Sequence, residues 1–142
     1  MTDAELGQHR GHEHSPVILL VEDEIFIRFL TAEVLRDEGY VVLEAVNAAE
    51  ALTIFNTGYP FDLVITDIRM PGDIDGTALA LALREAIPDL PVAFLSATIP
   101  PEKVHAADAF ISKPFLPSEL LKLVRELIGP KWRSRRDNRS AS

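Results

Sequence analysis

The sequence predicts an α/β protein built on a doubly wound, five-stranded parallel sheet. Two observations predict this class: short apolar runs alternate with longer amphipathic stretches, and each apolar run ends abruptly in polar or charged residues. Strands of parallel sheets are buried on both faces, so their sequences are continuously apolar. Right-handed crossovers then place helices on both faces, and ligands bind beyond the carboxyl ends of the strands.

Five apolar segments are the candidate strands. In chain order they are Val17–Val21, Val41–Leu43, Leu63–Ile65, Val92–Leu95 and Ala109–Ile111. The spatial order expected for such a sheet is the flavodoxin-like order 2-1-3-4-5. Strands one and three are then neighbours, about 4.8 Å apart.

The stretches between the strands are the candidate helices. Glu24–Glu38 has apolar residues at helical spacing and is followed by Gly39, a residue type favoured just past a helix end. Those apolar residues are Ile27, Leu30 and Val34. Asn47 suits the N-cap of a second helix that runs towards Gly58.

The later helices are predicted from composition and from their boundaries. Thr77–Ile87 alternates like a strand, but its alanine and leucine content and Pro88 just beyond it favour a helix. The last helix follows Pro117, ends at Gly129 and carries an apolar stripe. That stripe consists of Leu120, Leu123, Val124 and Leu127. With one more helix before the fifth strand, five strands alternate strictly with five helices.

Length and composition limit the class of protein. The 142 residues suit one domain, expected over residues 16–129, with a flexible tail at 1–15 and a basic tail at 130–142. The apolar runs are far shorter than a membrane span, and the first residues do not resemble a secretory signal, so a cytoplasmic location is expected. The absence of cysteine excludes disulfides, thiolate metal sites and cysteine nucleophiles.

The charge distribution argues against nucleic-acid binding. The net charge is −8, although residues 130–142 are basic, so the body of the chain is strongly acidic. An acidic body repels DNA phosphates, and few residues follow the last predicted helix. We therefore expect no DNA-binding domain.

Acidic side chains follow two strands that the predicted order makes neighbours. Glu22 and Asp23 come directly after the first apolar run, and Asp67 follows the third. Three carboxylates so close together either have raised pKa values or are neutralised by a hard cation such as magnesium. The fourth strand leads into Ser96 and the fifth into Lys113, which would add a hydroxyl and an amine to the same edge.

Four motifs at these strand ends resemble those of response-regulator receiver domains. VILLVEDE is similar to the acidic-pair strand, VITDIRMPG to the phosphoacceptor strand and loop, FLSA to the hydroxyl strand, and SKPF to the lysine strand. The resemblance covers roughly residues 16–129, and four motifs in the right order are far more specific than one.

The resemblance implies a metal site built around a phosphoacceptor. Asp67 would accept the phosphoryl group, and magnesium would be the cofactor. Asp23 and Asp67 would bind the ion through their carboxylates, Glu22 mainly through water, and Arg69 through its backbone carbonyl.

The resemblance also implies how the phosphoryl group is held and read. Lys113 would pair with its oxygens, and Ser96 would donate a hydrogen bond to one of them. Phe110 stands where the family has a switch aromatic, so inward movement of Ser96 would admit Phe110 to the vacated space. Such a change couples a local charge to a two-state packing arrangement.

Several features depart from the family pattern. The segment from Ser96 to Lys113 is several residues short and contains Pro100 and Pro101, so the fourth helix is expected to be shortened or displaced. Ser96 replaces the commoner threonine, Phe110 replaces the commoner tyrosine, and the loop after Asp67 is one residue longer. The resemblance implies that helix four, strand five and helix five form the surface that reads out the switch. These departures affect that surface and leave the phosphorylation chemistry in place.

The implied function is that of a single-domain receiver in a two-component or phosphorelay system. Its expected partners are a sensor histidine kinase or a histidine phosphotransferase and a downstream protein target, and a second copy in a homodimer is a further candidate. It would not be a classical enzyme. The main alternative is a pseudo-receiver that binds proteins independently of phosphorylation. A haloacid-dehalogenase-type phosphatase needs an aspartate where Arg69 stands, and a flavin phosphate would meet Glu22 and Asp23.

Overall fold

The computed structural model describes residues 15–97 and 108–129, and it contains the predicted sheet. Five parallel strands lie in the order β2-β1-β3-β4-β5, which confirms the predicted spatial order. The strands are β1 Val17–Val21, β2 Val41–Ala45, β3 Leu63–Asp67, β4 Val92–Ser96 and β5 Ala109–Ser112. Four of them run one or two residues further than the apolar pattern predicted. In β3, β4 and β5 the polar last residues, which are Asp67, Ser96 and Ser112, belong to the strands themselves.

Four helices lie in the described part of the chain. They are α1 Ile25–Glu38, α2 Ala48–Phe55, α3 Gly76–Ala86 and α4 Pro117–Ile128. Glu24 caps α1 by accepting a hydrogen bond from the Ile27 amide at 2.9 Å, and Asn47 caps α2 through the Glu50 amide at 2.8 Å. The helix predicted between β4 and β5, and its expected shortening, fall on residues 98–107, outside the described residues.

The helices cover the sheet on both faces and create two apolar cores. One core contains Val64, Phe94, Leu79 and Leu83, which joins the central strands to α3. The other contains Leu20, Ile65, Leu35 and Leu120, which joins them to α1 and α4. This layering is that of a doubly wound α/β sheet, as predicted.

The α1 helix is present where predicted, but its buried face differs from the one that the spacing indicated. Leu30 belongs to the apolar series noted in the sequence, yet 62% of it is exposed. The helix instead buries Ala32 and Leu35. Both sides of α1 carry apolar residues, so spacing alone could not select the side that packs on the sheet.

Within residues 15–97 and 108–129, no helix is both long enough and apolar enough to cross a membrane.

Candidate metal centre

The site is built from the carboxyl ends of adjacent strands. Asp67 is the last residue of β3, and Glu22 follows β1, which pairs with β3. One carboxylate oxygen from each of Glu22, Asp23 and Asp67 lies within 4.8 Å of the other two. The three predicted acids therefore converge at one edge of the sheet, with Glu22 fully buried and Asp23 exposed.

Lys113 joins two of these acids. Its Nζ lies 2.6 Å from Oε2 of Glu22 and 2.8 Å from Oδ2 of Asp67, so one ammonium group donates to both carboxylates. Only 13% of the Lys113 side chain is exposed. Charge-assisted hydrogen bonds of this kind are about twice as strong as neutral ones. The ammonium group offsets part of the negative charge of the three acids.

Burial shifts the pKa values of Glu22 and Lys113 in opposite directions, and the contact between the two side chains opposes both shifts. Burial raises the pKa of Glu22 above 4.5, the repulsion of Asp67 adds to this, and the hydrogen bond and charge of Lys113 oppose it. Burial by itself lowers the pKa of Lys113, but its bonds and attraction to Asp67 and Glu22 more than offset this and raise that pKa above 10.5. Lys113 therefore stays charged at neutral pH.

The donor set fits a hard divalent cation. One ammonium group pairs with two of the three carboxylates, so negative charge remains to be neutralised. Carboxylate oxygen is the ligand type that Mg²⁺ prefers. Asp23, at the exposed side of the cluster, leaves room for the water ligands that Mg²⁺ usually keeps. Glu22, Asp23 and Asp67 are the residues that would hold the ion.

The position of Asp67 is set by its neighbours in the chain. Its Oδ1 accepts a hydrogen bond from the Arg69 amide at 3.2 Å, and its backbone carbonyl accepts one from Thr66 Oγ1 at 2.9 Å. Gly76, the first residue of α3, packs directly on that carbonyl, because a Cβ added at Gly76 would lie 1.9 Å from the Asp67 oxygen. The helix thus reaches the site at a distance that only glycine permits.

The remaining predicted site residues are Ser96, Arg69 and Phe110. Ser96 ends β4, one residue past the partner of Asp67, and is 4% exposed. The Arg69 amide reaches Asp67, while the metal-binding role of its carbonyl stays a prediction. Phe110 is half-buried on β5, and its ring centroid lies 5.7 Å from that of Phe94. Phe110 therefore packs in the core beneath the site, and its switch role also stays a prediction.

Sequence reasoning missed two residues that shape the site. Arg28 donates from a guanidinium NH to the backbone carbonyl of Glu22 at 2.9 Å, and Gly76 contacts the carbonyl of Asp67. The signal for Gly76 was a glycine at the start of a predicted helix after the loop. The spacing of residues in the sequence did not single out Arg28, because its bond to the Glu22 carbonyl depends on how α1 packs beside the end of β1.

The comparisons with known proteins agree with this geometry. A family model described as the response regulator receiver domain matches residues 18–125. The chain belongs to this family. This receiver is 38% identical over 121 residues to the aerobic respiration control protein ArcA of Escherichia coli K12, covering 80% of this chain and 49% of ArcA. It is 37% identical over 122 residues to the sensor kinase CckA of Brucella abortus, covering 80% of this chain and 13% of CckA.

Solved structures show the same fold. The response regulator TrrA of Thermotoga maritima, in complex with Mg²⁺-BeF, matches with a TM-score of 0.72 at 38% identity, covering 79% of this receiver and 98% of TrrA. The Vibrio cholerae chemotaxis protein CheY4 matches with a TM-score of 0.74 at 31% identity, covering 80% and 98%. The receiver thus spans half or less of the two curated relatives, but aligns with almost all of these two solved chains.

Proposed function

We propose that this receiver accepts a phosphoryl group on Asp67, with Mg²⁺ as cofactor, and passes the signal on through protein contacts. The observation that carries the proposal is the position of the Asp67 carboxylate, which accepts a hydrogen bond from the Lys113 ammonium group and lies within 4.8 Å of carboxylate oxygens of Glu22 and Asp23. A carboxylate in such a place has what a nucleophile towards phosphorus requires: fixed orientation and nearby positive charge.

The reaction is a transfer between two nucleophiles. An oxygen of Asp67 attacks phosphorus, a new O–P bond forms, and the bond from phosphorus to the donor breaks, leaving its electron pair on the donor. Lys113, which donates to Asp67 Oδ2 at 2.8 Å, would stay protonated and would then donate to the oxygens of the transferred group. Mg²⁺ held by Glu22, Asp23 and Asp67 would offset the charge that gathers in the transition state.

The product differs from the starting carboxylate in charge and in acceptors. An acyl phosphate carries a charge of about −1.5 to −2, against −1 for the carboxylate that it replaces, and it offers three acceptor oxygens. Ser96, which is buried at the end of β4, would donate to one of them, and Phe110 on β5 would follow by repacking. We propose this as the route from phosphorylation to the surface that a downstream target reads.

The phosphodonor would approach over the beginning of α1. Ile25, Phe26, Phe29 and Leu30 form an exposed apolar patch there, and Phe26 is 73% exposed. This α1 patch begins two residues after Asp23, at the rim of the acidic cluster. A helix that presents a phosphohistidine, as in a sensor histidine kinase or a histidine phosphotransferase, could cover it while reaching Asp67.

The test is phosphorylation by a small donor. Incubation of the full chain with acetyl phosphate and Mg²⁺ should add one phosphoryl group, detected by mass spectrometry. Asp67→Asn should abolish the addition, whereas Asp73→Asn, an exposed aspartate in the following loop, should leave it unchanged. A wild-type protein that remains unmodified by acetyl phosphate would favour the phosphorylation-independent scaffold instead.

A further inference from the structure

Arg28 reaches from α1 to the backbone that joins two of the acids. Its guanidinium donates to the Glu22 carbonyl at 2.9 Å, and its Nε lies 3.3 Å from a carboxylate oxygen of Glu44 on β2. The Arg28 side chain is only 16% exposed. The arginine therefore bridges the end of β1 to the neighbouring strand, largely out of water.

Glu44 fixes this bridge from the other side. Its second oxygen pairs with Arg36, two turns further along α1, at 3.1 Å. Arg36 in turn donates to the carbonyl of Val42 at 2.8 Å. One carboxylate on β2 thus holds two arginines of α1, but only Arg28 extends to the acidic edge.

The bonded carbonyl belongs to the peptide group between Glu22 and Asp23. A peptide group is planar, so fixing the direction of the Glu22 carbonyl also fixes the direction of the Asp23 amide. The Glu22 amide is already held by the Ala45 carbonyl at 3.0 Å. The amide and the carbonyl of Glu22 are therefore both held by hydrogen bonds, which fixes the direction in which the chain leaves β1. In that direction Asp23 lies beside Asp67.

We infer that Arg28 is a positioning residue of the metal centre, acting through the Glu22–Asp23 peptide and held in place by Glu44. The inference rests on the proposed function, since it concerns the site that would hold Mg²⁺. Arg28 contacts backbone and Glu44, and its effect reaches the ion through Asp23. Groups that orient metal ligands in this way typically contribute about 10-fold to 100-fold in metal affinity.

The sign of the effect distinguishes positioning from charge. Arg28→Met removes a positive charge near three acids, so electrostatics alone would strengthen Mg²⁺ binding. Loss of positioning would weaken it instead. We expect Mg²⁺ binding to weaken about 10-fold in Arg28→Met, measured by calorimetric titration of the full chain. Arg36→Met is the matched control, because Arg36 shares the helix and Glu44 but does not contact the acids.

A second variant covers the case in which Arg28→Met does not fold. Arg28→Lys keeps the positive charge, but lysine lacks the planar guanidinium group that contacts the Glu22 carbonyl and Glu44 together. If only the charge matters, Mg²⁺ binding should not change. If Arg28 positions the site, Mg²⁺ binding should weaken. Phosphorylation by acetyl phosphate gives an independent readout. The Mg²⁺ concentration for half-maximal rate should rise about 10-fold, while the rate at saturating Mg²⁺ approaches that of the wild type. A merely structural role would lower the active fraction without moving the half-saturating concentration.

Unchanged or tighter Mg²⁺ binding in both Arg28 variants would overturn the inference, as would an equal loss in Arg36→Met. A wild type that binds no Mg²⁺ would overturn both this inference and the proposed metal site. A third outcome is a wild type that binds Mg²⁺ but is never phosphorylated. If Arg28→Met then binds Mg²⁺ more weakly than the wild type, the inference is supported and only the phosphoacceptor function is contradicted.

Discussion

Glu22 is a fully buried acid whose charge the folded protein tolerates at a cost. Its pKa is raised chiefly by burial and also by the repulsion of Asp67, even though Lys113 donates to it at 2.6 Å. A carboxyl group that binds protons more tightly in the folded than in the unfolded state stabilises the fold at low pH. That contribution is lost as pH rises from 4.5 through the raised folded pKa.

We expect Glu22→Gln to stabilise the metal-free protein and to weaken Mg²⁺ binding. At neutral pH the neutral amide removes the cost of the buried charge, and the gain should be about 1 kcal/mol, as for other residues that serve function over stability. Urea unfolding in EDTA from pH 4 to 8 would measure it. The gap between variant and wild type should widen as pH rises, and a gap that narrows would contradict the sign of the Glu22 shift.

A substitution at Gly76 tests the contact between α3 and Asp67. A methyl group there would lie 1.9 Å from the Asp67 carbonyl, so the helix start or the end of β3 must move. We expect Gly76→Ala to cost about 2 kcal/mol in the free energy of unfolding and to weaken Mg²⁺ binding.

Gly58→Ala is the control for Gly76→Ala. Gly58 has a φ of 83° with open space around its Cβ position, so alanine should cost about 1 kcal/mol through the backbone and leave Mg²⁺ affinity unchanged. Urea unfolding and calorimetric Mg²⁺ titration measure the two quantities for both variants. An equal effect of the two substitutions on Mg²⁺ binding would show that the Gly76 contact does not matter to the site.

At the scale of the element, α1 serves the core with one face and the surface with the other. Ala32 and Leu35 are buried against the sheet, while Phe26 and Leu30 are exposed to solvent on the α1 patch. Exposed apolar residues in a cluster indicate a binding surface more often than single ones do. The position of this patch beside the acids makes the phosphodonor protein its expected partner.

We expect Leu30→Ala to slow phosphoryl transfer from a donor protein about 10-fold, which corresponds to the loss of more than about 1 kcal/mol that truncation of an interface hot spot causes. Transfer from acetyl phosphate should be unchanged, because the site itself is intact. Leu81→Ala on α3 is the matched control, as Leu81 is 60% exposed and Leu30 is 62% exposed. Radiolabelled transfer from the cognate kinase would measure both, and equal slowing by the two variants would argue against the α1 patch.

At the scale of the whole molecule, the sequence predicted the fold because burial on both faces leaves a clear apolar signature in each strand. The strand ends then placed Glu22, Asp23, Asp67 and Lys113 at one edge, where the structure has them. The same reasoning did not find the bond from Arg28 to the Glu22 carbonyl. That contact depends on the path of one side chain between two elements, which residue spacing does not encode.

Mg²⁺ held by the three acids, as proposed above, would make the stability of the whole receiver depend on the ion. A ligand that binds only the folded state stabilises it by about 2.7 kcal/mol at 100 times its Kd. For a domain of this size each kcal/mol corresponds to roughly 4 °C, so Tm should rise by about 10 °C in saturating Mg²⁺.

Scanning calorimetry with MgCl₂, against NaCl of equal ionic strength, separates site binding from general screening of the net charge of −8. Asp67→Asn should give a much smaller shift with MgCl₂, because it removes one of the three acids that would hold the ion. If NaCl raised Tm as much as MgCl₂ did, or if Asp67→Asn kept the full shift, the stabilisation would come from screening across the surface. The edge at β1 and β3 would then have no special affinity for the ion.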